Sequence, residues 1–187
     1  MISDIEVVVL GLITEGLQYG YEIEKEIKSR NIRLWTEIAF SSIYYVLNRL
    51  EKKGYITSSL QQVEGKPSRR VYAPTTEGWA VLKERLVQTL STTQKVVQPF
   101  NLGIGFMSHL KPGVVVECLG KYLESIDMNI EYAKEGLARV ERDRRPYFIK
   151  ALYSRPLATL VAERAWVESF IVEIKSQEKA KEAHHLV

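Results

Sequence analysis

Apolar residues recur at helical spacing from the start of the chain, where Ile2, Ile5, Val8, Val9, Leu12 and Ile13 follow a three-and-four rhythm behind Ser3-Asp4. Gly16 stops this predicted first helix after Thr14-Glu15. Gly20 opens a second segment in which Ile23 and Ile27 lie four apart, while Glu22, Glu24, Lys25, Glu26 and Lys28 decorate the other faces. A third helix is predicted behind Ser41 or Ser42, either of which supplies a capping oxygen, with Ile43, Val46, Leu47 and Leu50 as its apolar positions. After Gly54 the pattern changes. Tyr55 to Val63 carries β-formers with partial alternation, Gly65 and Pro67 provide a turn, and Arg69-Arg70-Val71-Tyr72 returns as a second strand until Pro74 ends it. Thr75 then caps a fourth helix with Trp79, Leu82, Leu86 and Leu90 on one face.

A helix running into a basic hairpin looks like a winged helix, and the outward face of the third helix carries the chemistry. At about 100° per residue, Ile43, Leu47 and Leu50 share one side. Ser41, Tyr45, Asn48 and Lys52 fall opposite, with Tyr44 and Arg49 on the flanks. Solvent asks for nothing more specific than Glu, Lys or Gln on such a face. Asn is suited to bidentate contact with adenine, Arg to guanine, and a phenol to phosphate oxygen. Charge points the same way. Residues 40–75 hold six basic side chains (Arg49, Lys52, Lys53, Lys66, Arg69, Arg70) against Glu51 and Glu64, a balance of +4, whereas residues 1–39 hold four basic and seven acidic ones, a balance of −3. The whole-chain value of +3 hides this concentration. Edge charges that keep strands from pairing with other chains are the bland account of the hairpin, and a solvated helix with its tyrosines tucked against a neighbour is the bland account of the third helix.

Composition narrows the class. At 187 residues, 45% hydrophobic and 26% charged, the chain has enough apolar surface for one fair core or two small ones. No apolar run approaches the roughly 20 residues that span a bilayer. The start Met1-Ile2-Ser3-Asp4 has no basic leader-like segment, so a cytoplasmic location is expected and no membrane partner. Cys118 stands alone and is read as a buried structural thiol; with His109, His184 and His185 it forms no ligand spacing of the kind zinc uses. There is no Gly-rich phosphate loop and no nucleophile-base set, and Glu131 and Glu135 are better read as a solvated face than as an acid-base pair. The expectation is no catalytic residue, no metal and no cofactor.

Over residues 1–90 the chain resembles the PadR family of bacterial transcriptional regulators. The matching residues are Val9-Leu10-Gly11-Leu12-Ile13, Gly20-Tyr21-Glu22-Ile23, Ser42-Ile43-Tyr44, Leu47-Asn48-Arg49-Leu50-Glu51, Lys53-Gly54-Tyr55-Ile56, Arg69-Arg70-Val71-Tyr72 and Thr75-Thr76-Glu77-Gly78. No single piece is specific; their order and spacing over half the chain are. The resemblance implies a winged helix-turn-helix repressor that works as a homodimer on a double-stranded DNA operator, the third helix in the major groove and the wing against backbone or minor groove. It carries Tyr44 over as the third-helix tyrosine and Lys66, Arg69 and Arg70 as wing contacts. Together with the face described above, the DNA-binding set is Ser41, Ser42, Tyr44, Tyr45, Asn48, Arg49, Lys52, Lys66, Arg69 and Arg70. The family often has Gly and Pro where this chain has Ser41 and Tyr45, so no operator sequence is carried over. A winged helix used as a protein-interaction module, with incidental wing charge, is the alternative from a different class.

Fold class is thus expected to be mainly α with a small β-hairpin: a winged helix domain over 1–91, a connector over 92–113 and a helical dimerisation domain over 114–187. The connector carries Pro99, Gly103, Gly105, Pro112 and Gly113 and is expected to hold only short structure. One helix is predicted from Val114 to about Arg144 with Val115, Cys118, Leu119, Tyr122, Ile126, Ile130, Ala133, Leu137 and Val140 at helical spacing. A second runs from Arg145 to about Lys181, with Pro156 as a kink or restart. Two such helices alone make a thin core, so Leu160, Trp166, Val167, Phe170, Ile171 and Ile174 are assigned to a two-fold interface. The resemblance also implies a small aromatic or amphipathic effector, for which Trp166 and Phe170 are the candidates, with Tyr147, Tyr153 and Trp79 nearby.

Overall fold

A computed structural model describes residues 2–34, 36, 43–63, 66–93 and 98–185, the side chains of 34, 63, 66, 67 and 181–185 excepted. The chain divides into two compact units, Met1–Lys95 and Val96–Val187.

The first unit contains α1 (Asp4–Thr14), α2 (Gly20–Ser29), α3 (Ile43–Lys52), an antiparallel hairpin of β1 (Ile56–Val63) and β2 (Lys66–Pro74), and α4 (Thr76–Ser91). Val9, Leu10, Ile23, Ile27, Val46, Leu47, Leu50 and Ile56 are buried in one core to which each of α1, α2, α3 and β1 contributes. The residues behind α3, Ser41 and Ser42, lie outside the described set, so the predicted cap does too. At the other end of α3 the chain is turned into the wing by a Schellman arrangement: Tyr55 N–H donates to the Leu50 carbonyl at 3.0 Å and Gly54 N–H to that of Glu51 at 2.9 Å, with Gly54 at φ 75°. The second strand begins at Lys66, paired with Val63, so Pro67 lies inside β2 and not in the turn as the sequence suggested. A two-stranded sheet has only edges, and an edge strand tolerates a missing N–H.

Thr75 caps α4 as expected, accepting from Gly78 N–H at 2.9 Å and donating its own hydroxyl to the Gly54 carbonyl at 2.7 Å. The helix start is thereby held against the α3–β1 corner. Gly78 allows the approach: a Cβ there would lie 2.0 Å from the Tyr55 carbonyl oxygen. Of the predicted apolar stripe on α4, only Leu82 enters the core; Trp79, Leu86 and Leu90 are exposed.

The strongest polar feature of this unit was not anticipated. Glu6 is wholly buried, yet its carboxylate has three donors, Ser3 N–H at 2.8 Å and Ser3 hydroxyl at 3.1 Å on Oε2 and Lys53 at 2.7 Å on Oε1, and Arg49 adds an ion pair at 3.1 Å to Oε1. Ser3 and Glu6 form a capping box on α1. The two cations come from the last turn of α3 and the residue beyond it. Burial pushes the Glu6 carboxyl up, but the hydrogen bonds from Lys53 and Ser3 and the Lys53 charge outweigh it and leave the group below the usual carboxylate value.

In the second unit, α5 (Phe100–Phe106) and a 3-10 turn (Met107–His109) occupy the segment expected to be a connector. Then α6 (Pro112–Arg142), with Pro at its first position, and α7 (Tyr147–His185) pack antiparallel. Cross-helix pairs fix their register: Tyr122 with Glu163, Asp127 with Arg164, and Gly136 against the Tyr153 ring. Val115, Leu119, Ile126, Ile130 and Val167 form the seam. One sequence expectation fails here and another is narrowed. Cys118 is exposed, because it sits at the margin of the α6 stripe and the seam is centred on Val115, Leu119 and Ile126. Of the kink or restart expected at Pro156 the restart does not occur: α7 continues through it as one helix, with the Leu152 carbonyl deprived of its donor.

Two outcomes follow from this packing. Gly78→Ala should lower stability by about 2 kcal/mol through overpacking against the Tyr55 carbonyl; an unchanged urea midpoint would contradict the close approach. Because the folded Glu6 carboxyl titrates below its unfolded value, its stabilisation is present above the unfolded value and is lost as pH falls through the folded one. Glu6→Gln should therefore be less stable than the parent at neutral pH, with the gap closing towards acid; a gap constant with pH would remove the charge from the account.

Candidate nucleic-acid interface

The buried face of α3 is Ile43, Val46, Leu47 and Leu50; Tyr44, Tyr45, Asn48 and Lys52 are exposed. The angular reading of the sequence thus survives for Tyr45, Asn48 and Lys52, while Ser41, which it also placed outward, lies outside the described residues. Tyr44 is not wholly free, since its ring edge rests on the first turn of α2. A Cβ at Gly20 would come within 2.9 Å of Tyr44 Cε1, so glycine there lets α2 and α3 cross closely. Tyr45 is 60% exposed, and the Arg49 guanidinium carbon stands 5.8 Å from its ring centroid.

Arg49 and Arg70 differ from the rest of the set. Arg49 is bound inward to Glu6, so its guanidinium is spent on the core side of α3 and on the Tyr45 ring. Arg70 lies 3.8 Å from Glu51, which also accepts the Ser58 hydroxyl. With Lys53 on Glu6, three of the six basic residues counted over 40–75 already have carboxylate partners. Lys52 and Arg69 are exposed with no ion pair among the described residues. Lys66 opens β2, but its side chain, like Ser41 and Ser42, lies outside the described set.

Two tyrosines join this surface that the sequence reading left out. Tyr19 donates its hydroxyl to the Gln61 side chain on β1 at 2.8 Å, and Tyr21 stacks on Tyr19 at 5.6 Å between ring centroids. Tyr21 is half exposed and lies within electrostatic reach of Arg69 on β2. The start of α2 is thereby fastened to the wing, a link reinforced by Tyr72 N–H donating to the Gln18 carbonyl at 2.9 Å. The signal was present as aromatics on both sides of Gly20, but helical spacing alone assigns them no partner.

In the second unit the residues assigned to a two-fold interface divide. Val167 is fully covered by its own chain and holds α7 to α6, so it is removed from that set. Leu160, Phe170, Ile171 and Ile174 are partly covered by the same seam, and Trp166 is 46% exposed. Trp166 stacks on Phe170 at 5.0 Å and meets Phe100 edge-on at 6.4 Å, while Phe100 stacks on Tyr122 at 4.2 Å. Burial and then the Glu163 carboxylate raise the Tyr122 phenol above its usual value. The two candidate effector residues thus belong to one aromatic cluster. Tyr147 is outside it and exposed against Phe148, and Tyr153 is used on Gly136. Among the described residues there is no group of side chains that could hold a metal ion, and no helix long and apolar enough to cross a membrane.

Comparison with known proteins agrees with this architecture. The sequence pattern of the transcriptional regulator PadR-like family matches residues 9–84, from α1 into α4. A Lysinibacillus sphaericus protein of uncharacterised role is 34% identical over 97 residues, which cover 52% of this chain and 87% of that one. Among solved structures, Bacillus subtilis PadR in complex with operator DNA superposes with a TM-score of 0.72 at 22% identity, covering 92% of this chain and 99% of the other. The same protein in complex with p-coumaric acid gives 0.74 at 19% identity, over 91% and 98%. The structural likenesses establish the fold along nearly the whole length. With the match from α1 to α4 and the L. sphaericus relative, they lead to one assignment: the chain belongs to the PadR-like family of transcriptional regulators.

Proposed function

We propose that this protein is a sequence-specific DNA-binding repressor that acts as a homodimer and is released by a small aromatic or amphipathic effector. The observation that carries the reading is the exposed face of α3, where Tyr45, Asn48 and Lys52 stand together beside a wing bearing Arg69. Tyr45 and Asn48 would read base edges in the major groove, Tyr44 would fix the helix on the backbone, and Arg69 would neutralise phosphate. The B. subtilis protein's complex with operator DNA supports the same use of the fold. Its complex with p-coumaric acid supports a small-molecule signal. Work on chromosomal DNA entails a cytoplasmic location.

Dimer formation is supported by apolar surface left uncovered in the second unit, where Leu102, Phe106, Met128, Phe148 and Val172 are exposed. Such a surface calls for a partner, and a second copy supplies the two-fold symmetry that a pseudo-palindromic operator needs.

The test is a gel shift on DNA upstream of the protein's own gene, with nonspecific competitor. Retardation that survives competitor is the expected result; none would favour the protein-interaction alternative. Two variants then separate roles. Asn48→Ala should lose about 1–3 kcal/mol at particular base pairs and relax preference there. Arg69→Ala should weaken all sequences alike and reduce the salt slope by about one unit. Unchanged preferences in the first, or an unchanged slope in the second, would refute the corresponding role.

A further inference from the structure

The turn that joins α6 to α7 concentrates positive charge outside the winged unit. Residues 139–150 hold Arg139, Arg142, Arg144, Arg145 and Lys150 against Glu141 and Asp143, a balance of +3 that equals the net charge of the whole chain. Lys150 is paired with Glu141. The four arginines are exposed and have no ion-pair partner among the described residues. Tyr147, 85% exposed, and Phe148 follow at the start of α7.

The backbone gives this cluster a defined shape. Arg145 N–H donates to the Val140 carbonyl and Arg144 N–H to that of Glu141, both at 3.0 Å, which closes α6 with a Schellman turn. Arg144 occupies the left-handed position of that turn at φ 49°, where glycine carries no Cβ penalty. At the equivalent turn after α3 the chain does use glycine, Gly54. The helix dipole favours cations in a last turn, which explains Arg139 and Arg142. It does not explain an arginine at a strained position with another directly after it. An arginine kept against its backbone preference is there for its guanidinium. Four uncompensated guanidiniums repel one another, a polyanion relieves that repulsion, and their planar forks match phosphate oxygens. An anionic membrane shares the charge chemistry, but insertion needs a broad apolar face, and within 139–150 only Tyr147 and Phe148 are large exposed hydrophobics.

We propose that the α6–α7 turn is a second, sequence-independent contact for nucleic acid, and that its ligand is the phosphate backbone of duplex DNA. The proposal rests on the reading above that the chain binds DNA, and it adds affinity without base preference. Arg142, Arg144 and Arg145 neutralise phosphates, and the exposed Tyr147 phenol suits a phosphate oxygen.

The experiment measures binding of the full chain to an unrelated duplex and to a duplex enriched by the parent from a random pool, over a series of salt concentrations. Arg142→Gln, Arg144→Gln and Arg145→Gln together should lower the salt slope on both duplexes by about two units and weaken both on the order of tenfold near physiological salt. Base preference should be unchanged. Lysine at the same three positions should keep most of the slope, because the charge is retained. Arg144→Gly should melt at a higher temperature than the parent yet bind unrelated DNA more weakly, a combination that a purely structural role does not give. Circular dichroism and sedimentation accompany each variant. An unchanged slope in the triple glutamine variant, or a triple lysine variant as weak as it, would overturn the proposal. So would dissociation of the triple glutamine variant into smaller species, which makes the turn an interface between copies. Loss of binding to phosphatidylglycerol vesicles with DNA binding intact would overturn it too, by making the ligand a lipid surface. If Asn48→Ala alters base preference while the triple glutamine variant binds as the parent does, the turn fails and the regulator reading stands. A parent that retains no duplex even at low salt overturns both.

Discussion

A carboxylate withdrawn from water is costly unless donors replace its hydration, and Glu6 shows how completely they do so here. Ser3 supplies two donors from the start of the same helix, Lys53 supplies a third from just beyond α3, and Arg49 in the last turn of α3 adds an ion pair. One side chain therefore closes the N-terminus of α1 and fastens the C-terminal end of the helix assigned to the groove. Removing either cation would leave a buried charge partly unmatched, so the arrangement resists small adjustments of α3. The Schellman turn at Gly54 and the Thr75 bridge to the Gly54 carbonyl then pass that position on to the hairpin and α4. Pitch of the helix and direction of the wing are set from one corner.

The same clamp redistributes charge. The +4 balance read over residues 40–75 suggested a broadly basic surface, but Arg49 and Lys53 neutralise Glu6 and Arg70 faces Glu51. What remains of that basic set on the described surface is narrower: Lys52 on the helix and Arg69 on the wing, with Tyr21, Tyr44, Tyr45 and Asn48 exposed on α2 and α3. A surface with few free cations and many hydrogen-bonding side chains favours discrimination between sequences over indiscriminate attraction to phosphate.

Periodicity revealed most of the secondary structure because α2 and α3 each bury a narrow stripe, and Ile23, Ile27, Ile43, Val46, Leu47 and Leu50 are buried where the spacing put them. It did not reveal Glu6. A glutamate near the start of a helix looks like one more solvated charge, and its partners lie 43 and 47 positions further on, beyond any local pattern. Pro67 was read as part of the turn and Pro156 as a kink or restart, because local rules ignore that an edge strand tolerates a missing donor and that a long helix can continue past one. Cys118 and Val167 misled for a related reason. A stripe read from sequence has a width, and only packing shows that Cys118 sits at its margin while Val167 lies at its centre.

The central claim is that Glu6 and Lys53 act as one unit to hold α3 for DNA, and a double-mutant cycle addresses it. Glu6→Gln, Lys53→Met and the pair together would be compared for affinity to duplexes enriched by the parent from a random pool, at one salt concentration and with folding verified. The account predicts strongly non-additive losses, with a coupling of roughly 0.5–3 kcal/mol and the double variant no worse than the more damaged single one. Losses that simply add would show that the two residues affect DNA binding independently and would contradict the clamp.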